Sequence, residues 1–225
     1  MGTNMYAYCQ NDPVNMCDSE GMFGEAIHNR ATTPEGKGYG TYFWTYQFLL
    51  LAGMKDKDLA KSYANTFALA NKSVDVNWTT AYWNPSTYAQ GWHFNNNIIG
   101  GDSRESNYNR SYKRAEEEAK NKNITGVLEE LGKGLHALQD QVAHSGPLGD
   151  ITIPLFTTDD GYVIYGKHFH LKGQYDADVF TIGDANYLAA QAATWRVLKD
   201  FVKLCTKYNL LSLTNPTESQ LSKIF

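Results

Sequence analysis

The apolar residues in the second half of this chain recur every three to four positions over long stretches, and this spacing constrains the fold more than any other feature. Over residues 124–145 the apolar side chains of one such stripe are Val127, Leu128, Leu131, Leu135, Leu138 and Val142. That period is the period of the α-helix, and Gly146-Pro147 is a typical stop. Residues 184–208 repeat the spacing up to Tyr208. The pattern therefore predicts a mainly α fold.

The remaining elements are predicted from capping residues and turns. A buried aromatic helix is expected over 39–51, and a second helix is expected from Asp56, as its N-cap, to about Asn71. Charged residues over 105–120 indicate a helix whose charges face solvent. Residues 151–164 are typical of a small β-hairpin with an Asp-Gly turn. The segment 74–102 has neither periodicity and is predicted to be a long loop.

Length and composition favour one helical domain. A chain of 225 residues supports one well-filled core, so we expect a polar leader over 1–22 and a domain over 23–225. The net charge of −4 argues against binding to duplex phosphates, which requires a basic excess. The longest apolar run, residues 48–53, is too short for a transmembrane segment, and we expect no signal peptide.

Metal ligands are expected from histidine and aspartate. The three cysteines are odd in number and lack CxxC spacing, so neither a disulfide framework nor a cysteine metal site is expected. On a helix, His136, Asp140 and His144 form one narrow stripe because residues four apart are neighbours. Imidazole with carboxylate favours zinc, and the two oxygens of Asp140 can bridge two ions. Taken alone, the stripe has about an even chance of being a surface or core feature without metal.

The predicted loop 74–102 adds three candidate residues. Asp75 is a candidate ligand or general base, and His93 is a candidate ligand. Trp92 is the aromatic residue that we expect to line the substrate site, to hold a nucleobase or an acyl chain.

In the order of these residues the chain resembles the zinc-dependent phospholipase C superfamily, which includes the fungal single-strand nucleases. The resemblance implies a helical domain with two or three zinc ions that hydrolyses phosphoric esters. It also implies a set of ligands: His28, Asp75, His93, His136, Asp140, His144, one of His168 and His170, and one of Asp176 and Asp178. A phospholipid headgroup or a single-stranded nucleic acid is the substrate that it implies.

Residues 6–21 resemble the end of the core of bacterial Rhs-repeat proteins, which variable C-terminal toxin domains follow. By this resemblance the chain is a secreted or delivered toxin effector with an Rhs shell and an immunity protein as partners. Such cores are cleaved after an ending similar to residues 18–22, which would expose Phe23. Because the zinc family uses its processed N-terminus as a ligand, we hypothesise that cleavage makes Phe23 part of a third zinc site. N-terminal sequencing that found only intact, fully active chains would exclude this.

The sequence is also compatible with two further classes of function. The first is a non-catalytic binding module in which one structural zinc is retained. The second is a helical domain without metal. The leading prediction is a phosphodiester hydrolase, with phospholipase slightly favoured over nuclease.

Overall fold

Helices carry almost all the regular structure of the part of the chain that a computed structural model describes, which is residues 25–28, 31–32, 38–81, 86–93, 102–143, 154–157, 163–165 and 185–224. The helices are α1 (Glu25–His28), α2 (Gly40–Leu51), α3 (Lys57–Val76), α4 (Thr87–His93), α5 (Ser103–Lys120), α6 (Ile124–Ala143), α7 (Ala185–Tyr208) and α8 (Glu218–Leu221). Strands β1 (Ala31–Thr32) and β2 (Gly38–Tyr39) pair antiparallel, as do β3 (Pro154–Thr157) and β4 (Val163–Tyr165). The prediction of a mainly α fold is confirmed, and β3 and β4 pair where the hairpin was predicted, while its predicted Asp-Gly turn lies outside the described residues.

Aspartate side chains start two of the helices. The Asp56 carboxylate accepts hydrogen bonds from the backbone amides of Asp58 and Leu59, as the sequence predicted. Asp102 accepts from the amide of Arg104 and starts α5 in the same way. A helix N-terminus has amides without partners in the helix, and a carboxylate both satisfies them and complements the helix dipole.

Two sequence predictions of local structure are wrong. Helix α3 does not end near Asn71 but continues to Val76, because the Asn71 side chain is buried and bonds to neighbouring helices instead of ending its own. The segment 74–102 is not one long loop, since it contains the end of α3 and all of α4. Asp75 and His93 therefore both lie in the last turn of a helix.

Helix α6 lies at the centre and packs against α3, α5 and α7. Two glycines permit this close approach. A Cβ atom at Gly132 would lie 2.5 Å from the carbonyl oxygen of Phe67 on α3, and one at Gly134 would lie 2.9 Å from the Cβ of Ser111 on α5. The apolar core around these helices includes Trp44, Phe48, Phe67, Leu131 and Phe201, all fully buried. In the described part of the chain, no helix is long and apolar enough to cross a membrane.

Candidate metal centre

Five of the predicted ligands meet in two overlapping groups that share His136, and we call them together the His/Asp cluster: His28, Asp75, His93, His136 and Asp140. They come from four helices. His28 ends α1, Asp75 lies in the last turn of α3, His93 ends α4, and the other two lie one turn apart on α6. The close packing of α6 on α3 at Gly132 brings the α6 pair next to Asp75. Tertiary structure thus joins residues that are more than a hundred positions apart.

The ring of His136 is oriented by Asn71. Its Nδ1 lies 3.1 Å from the backbone carbonyl oxygen of Asn71 and 3.1 Å from the side-chain Oδ1 of the same residue. Since both atoms are acceptors, Nδ1 carries the proton and donates. The opposite nitrogen, Nε2, is directed toward Asp75, His93 and Asp140. This is the arrangement of a metal-binding histidine, whose other nitrogen donates to an oxygen outside the ligand shell.

The ring of His93 is oriented in the same way by a backbone carbonyl. Its Nε2 lies 2.8 Å from the oxygen of Thr80 and donates to it. In a neutral ring Nδ1 is then an acceptor, and this atom lies 3.0 Å from Oδ2 of Asp140. It also lies 3.1 Å from Nε2 of His136. When the ring of His136 is also neutral, acceptor atoms therefore face one another at the centre of the cluster.

A chain of hydrogen bonds determines which nitrogen of His28 carries the proton. The hydroxyls of Thr41 and Thr194 donate to the backbone carbonyls of Ile27 and Ala190, so both oxygens accept from the Gln139 side chain. The amide nitrogen of Gln139 must point at these hydroxyls, and its Oε1 must point the other way. His28 Nδ1 lies 3.0 Å from that Oε1 and donates to it. Nε2 of His28 is thereby directed at Oδ1 of Asp140, 3.5 Å away.

Two groups of three residues, which share His136, have donor atoms close enough together to hold a metal ion: His28, His136 and Asp140, and Asp75, His93 and His136. The distances from Nε2 of His136 to Oδ2 of Asp140 and to Oδ1 of Asp75 are 3.2 and 3.4 Å. Nδ1 of His93 lies 3.0 Å from the same Asp140 oxygen and 3.9 Å from the same Asp75 oxygen. Tetrahedral zinc with bonds of about 2.0–2.2 Å to nitrogen and oxygen separates its donors by about 3.3–3.5 Å. The donor types suit zinc, and the 3.4 Å between His136 and Asp75 lies in this range, while the other three distances lie just outside it.

Two buried carboxylate oxygens of the cluster face a histidine nitrogen without forming a hydrogen bond. Among the described residues, neither Oδ1 of Asp75 nor Oδ1 of Asp140 has a hydrogen-bond partner, although both atoms are buried. A buried carboxylate oxygen is costly unless a proton, donor or ion compensates it. Because Oδ2 of Asp140 lies beside His93 and His136 while Oδ1 faces His28, the two oxygens of this carboxylate are directed at different histidines.

Burial and charge separate the members of the cluster. The side chain of Asp75 is 16% exposed, while those of the other four are fully buried, so Asp75 forms the partly exposed edge of the cluster. Burial lowers the pKa of His28, and the neighbouring His136 adds to this. For His136 burial acts to lower the pKa, but Asp140 and Asp75 outweigh it and raise the pKa to about 9. Burial acts to raise the pKa of Asp140, yet the histidines, led by His136, hold it well below its usual range.

The other predicted site residues have different outcomes. Trp92 is 2% exposed and packs in a small apolar cluster with Val74 and Ala137. This burial is typical of a core residue, and its role in lining a substrate site stays a prediction. The remaining candidates lie outside the described residues: Phe23, His144, His168, His170, Asp176 and Asp178. Cys205, the cysteine within the described part, is a free buried thiol, and burial raises its pKa to about 12.

Sequence reasoning missed the polar residues that orient the histidines, above all Asn71 and Gln139. A signal was present at Asn71, because it lies on the buried stripe of α3 between Phe67 and Val74, where an amide needs partners inside the protein. Gln139 precedes Asp140 on α6 and is fully buried. The sequence alone does not indicate its partners on α2 and α7.

Comparison with known proteins adds no relative. No protein-family model matches the chain, and neither the curated proteins nor the solved structures compared with it give a significant match.

Proposed function

We propose that this protein is a zinc-dependent hydrolase of phosphoric diesters and that the His/Asp cluster is its active site. The observation that carries the proposal is the arrangement of three imidazoles. Each has one nitrogen that donates to an oxygen outside the cluster, and each directs its other nitrogen at a shared carboxylate. Side chains oriented in this way are prepared for a cation before it binds.

The donor set favours a catalytic centre over a structural one. Structural zinc sites are closed by four ligands, most often with cysteine among them, whereas catalytic sites combine histidine and carboxylate and keep a position open. Here the described donors exceed four, contain no sulfur, and include one partly exposed carboxylate, Asp75. An excess of donors around the bridging residue Asp140 favours more than one ion.

The residues of the cluster have distinct roles in the proposed reaction. Zinc supplies the chemistry of activating a water molecule near neutral pH and of stabilising negative charge on phosphoryl oxygens. Asp75, at the exposed edge, either binds an ion or accepts a proton from the attacking water. Asn71 and Gln139 hold the histidines in the orientation that leaves the inner nitrogens as acceptors.

A non-catalytic module with one structural zinc is the second candidate. It is favoured by the complete burial of His28, His93, His136 and Asp140, which leaves Asp75 as the partly exposed residue of the cluster. In that case the ion would stabilise the domain, and a larger protein would use the domain for binding or delivery.

Metal analysis with an activity assay separates the two candidates. The chain, purified without chelator, is expected to carry two or three zinc ions and to hydrolyse bis(4-nitrophenyl) phosphate. Dipicolinic acid should abolish the activity, and added zinc should restore it. One retained zinc ion without hydrolysis would support the module, and absence of bound metal after zinc is added and dialysed would contradict both.

The substrate class requires a second assay. We favour a phospholipid headgroup over a single-stranded nucleic acid, because the net charge of −4 opposes binding along a polyanion. Zinc-loaded protein should release phosphate esters from phosphatidylcholine vesicles faster than it shortens single-stranded DNA. The opposite order would assign the cluster to a nuclease.

A further inference from the structure

Arg104 is a fully enclosed guanidinium that lies outside the His/Asp cluster but contacts the backbone of two of its members. The residue is 1% exposed. Its Nη1 donates to the carbonyl oxygen of Asp140 at 3.1 Å and to that of His93 at 3.4 Å. Its Nε and Nη2 donate to the two carboxylate oxygens of Asp102 at 3.0 and 2.8 Å. A buried cation needs such partners, and here two of them belong to candidate ligands.

Both carbonyls lie at helix C-termini. The last four carbonyls of an α-helix have no partner in the helix itself and form the negative end of its dipole. His93 is the last residue of α4, and Asp140 begins the last turn of α6. One guanidinium therefore caps two helices at the turns that present metal ligands.

The start of α5 acts as a unit around this contact. Asp102 caps α5 and also holds the guanidinium, whose charge lowers the pKa of Asp102 although burial acts to raise it. One turn later, Asn107 donates from Nδ2 to the carbonyl oxygen of Gly91 at 2.6 Å, again in the last turn of α4. Two side chains of α5 thus hold the end of α4, and one of them also holds α6.

We propose that Arg104 is a positioning residue for metal binding, which keeps the last turns of α4 and α6 at the separation that His93 and Asp140 need to share an ion. The inference rests on the proposed metal centre and adds a residue from outside it. Without the guanidinium, two carbonyls at the end of ligand-bearing turns would lose their donor, and the two turns would be free to separate.

Zinc affinity of folded variants tests this role. Arg104→Met and Arg104→Lys are compared with wild type and with Arg114→Met, a matched control on the same helix whose side chain is 56% exposed. Zinc dissociation constants are measured by chelator competition well below the unfolding transition. Residues that orient ligands affect metal affinity about 10–100-fold, so Arg104→Met should weaken zinc at least tenfold, Arg104→Lys less, and Arg114→Met not at all.

Hydrogen exchange in the metal-free protein gives a readout that does not depend on zinc. Arg104→Met should speed exchange in the last turns of α4 and α6 and leave the middle of α7 unchanged. A wild-type chain that binds no zinc would end the proposed function, and the exchange result would still decide the positioning of the two turns.

Three results would overturn the inference. The first is zinc affinity of Arg104→Met within twofold of wild type, whatever the loss of stability, which would mean a purely structural role. The second is a change in hydrogen exchange on Arg104→Met that is the same in α4, α6 and α7. The third result applies if Arg104→Met does not fold. Arg104→Lys keeps the buried charge and is then the test, and wild-type zinc affinity in Arg104→Lys would overturn the inference.

Discussion

Nδ1 of His93 lies 3.1 Å from Nε2 of His136, although the opposite nitrogen of each ring donates to a backbone carbonyl. Two neutral rings in these orientations direct lone pairs at each other. Only a proton or a metal ion between them relieves the repulsion, and Oδ2 of Asp140 lies within 3.2 Å of both nitrogens. This contact is the reason to treat the cluster as a cation site, and the following predictions test it.

Asp140→Asn should remove zinc and hydrolysis together, because the amide cannot bridge two ions and carries no charge. The loss of zinc affinity should exceed about 100-fold, since partners outside the ligand shell already contribute 10–100-fold. Zinc per chain is measured by mass spectrometry beside phosphodiester hydrolysis. Asp58→Asn, at a side chain that is 92% exposed, is the control. A fully loaded, active Asp140→Asn protein would refute the bridging role.

Gln139→Leu should weaken zinc binding although Gln139 is not a ligand. The change leaves Nδ1 of His28 and Nδ2 of Asn71 without their shared acceptor. We expect about 1–3 kcal/mol less unfolding free energy for each such donor and about 10–100-fold weaker zinc. Urea unfolding and chelator competition measure the two effects.

Gln47→Leu is the matched control for Gln139→Leu, because Gln47 is a partly exposed residue of α2. It should change neither quantity. If Gln139→Leu also leaves zinc affinity unchanged, the hydrogen bonds that we trace from Thr41 and Thr194 to His28 do not orient that histidine.

As the pH rises, the stability of the metal-free protein should fall, whereas its affinity for zinc should rise. Because the pKa of His136 is raised from 6.5 to about 9, its charged ring stabilises the metal-free protein fully below pH 6.5, and this contribution is lost as the pH rises through about 9. Zinc requires the neutral ring, so zinc affinity should rise over the same interval.

Urea unfolding of metal-free protein and zinc titration at each pH measure these trends. His136→Gln should flatten both curves between pH 6.5 and 9, which assigns them to this residue. Zinc affinity that fell as the pH rose toward 9 would contradict the assignment of Nε2 as a ligand atom.

Gly132→Ala should disturb the metal centre from a distance. The added methyl group would lie 2.5 Å from the carbonyl oxygen of Phe67, so α6 must move away from α3. We expect a loss of about 1–3 kcal/mol of unfolding free energy. Zinc binding should weaken as well, because His136 follows one turn later and would share the proposed ion with Asp75 on α3.

Gly53→Ala is the comparison for this prediction. Gly53 has a φ of 100°, and nothing lies within 4 Å of the point that a Cβ atom would occupy there. It should cost about 1–2 kcal/mol of backbone strain without any change in zinc affinity. Equal zinc affinity in the two glycine variants would show that helix spacing at Gly132 does not control the centre.

Local patterns predicted the long helices well and their ends less well. Helix α7 spans Ala185–Tyr208 against an expected 184–208, because a long amphipathic stripe is a repeated signal. The end of α3 was missed at Asn71, since an asparagine that ends a helix and one that bonds across a core look alike in sequence. Helix α4, with its Gly91 and aromatic residues, has too short a pattern to be recognised.

The sequence by itself determined the helical class, the cap at Asp56 and the stripe of His136 and Asp140, because these depend on neighbours three or four positions away. Only the tertiary structure decided that His28, Asp75 and His93 join that stripe and that Asn71, Gln139 and Arg104 orient it. The physical reason is that tautomer, burial and donor spacing depend on atoms brought together by helix packing. Sequence distance carries no record of those contacts.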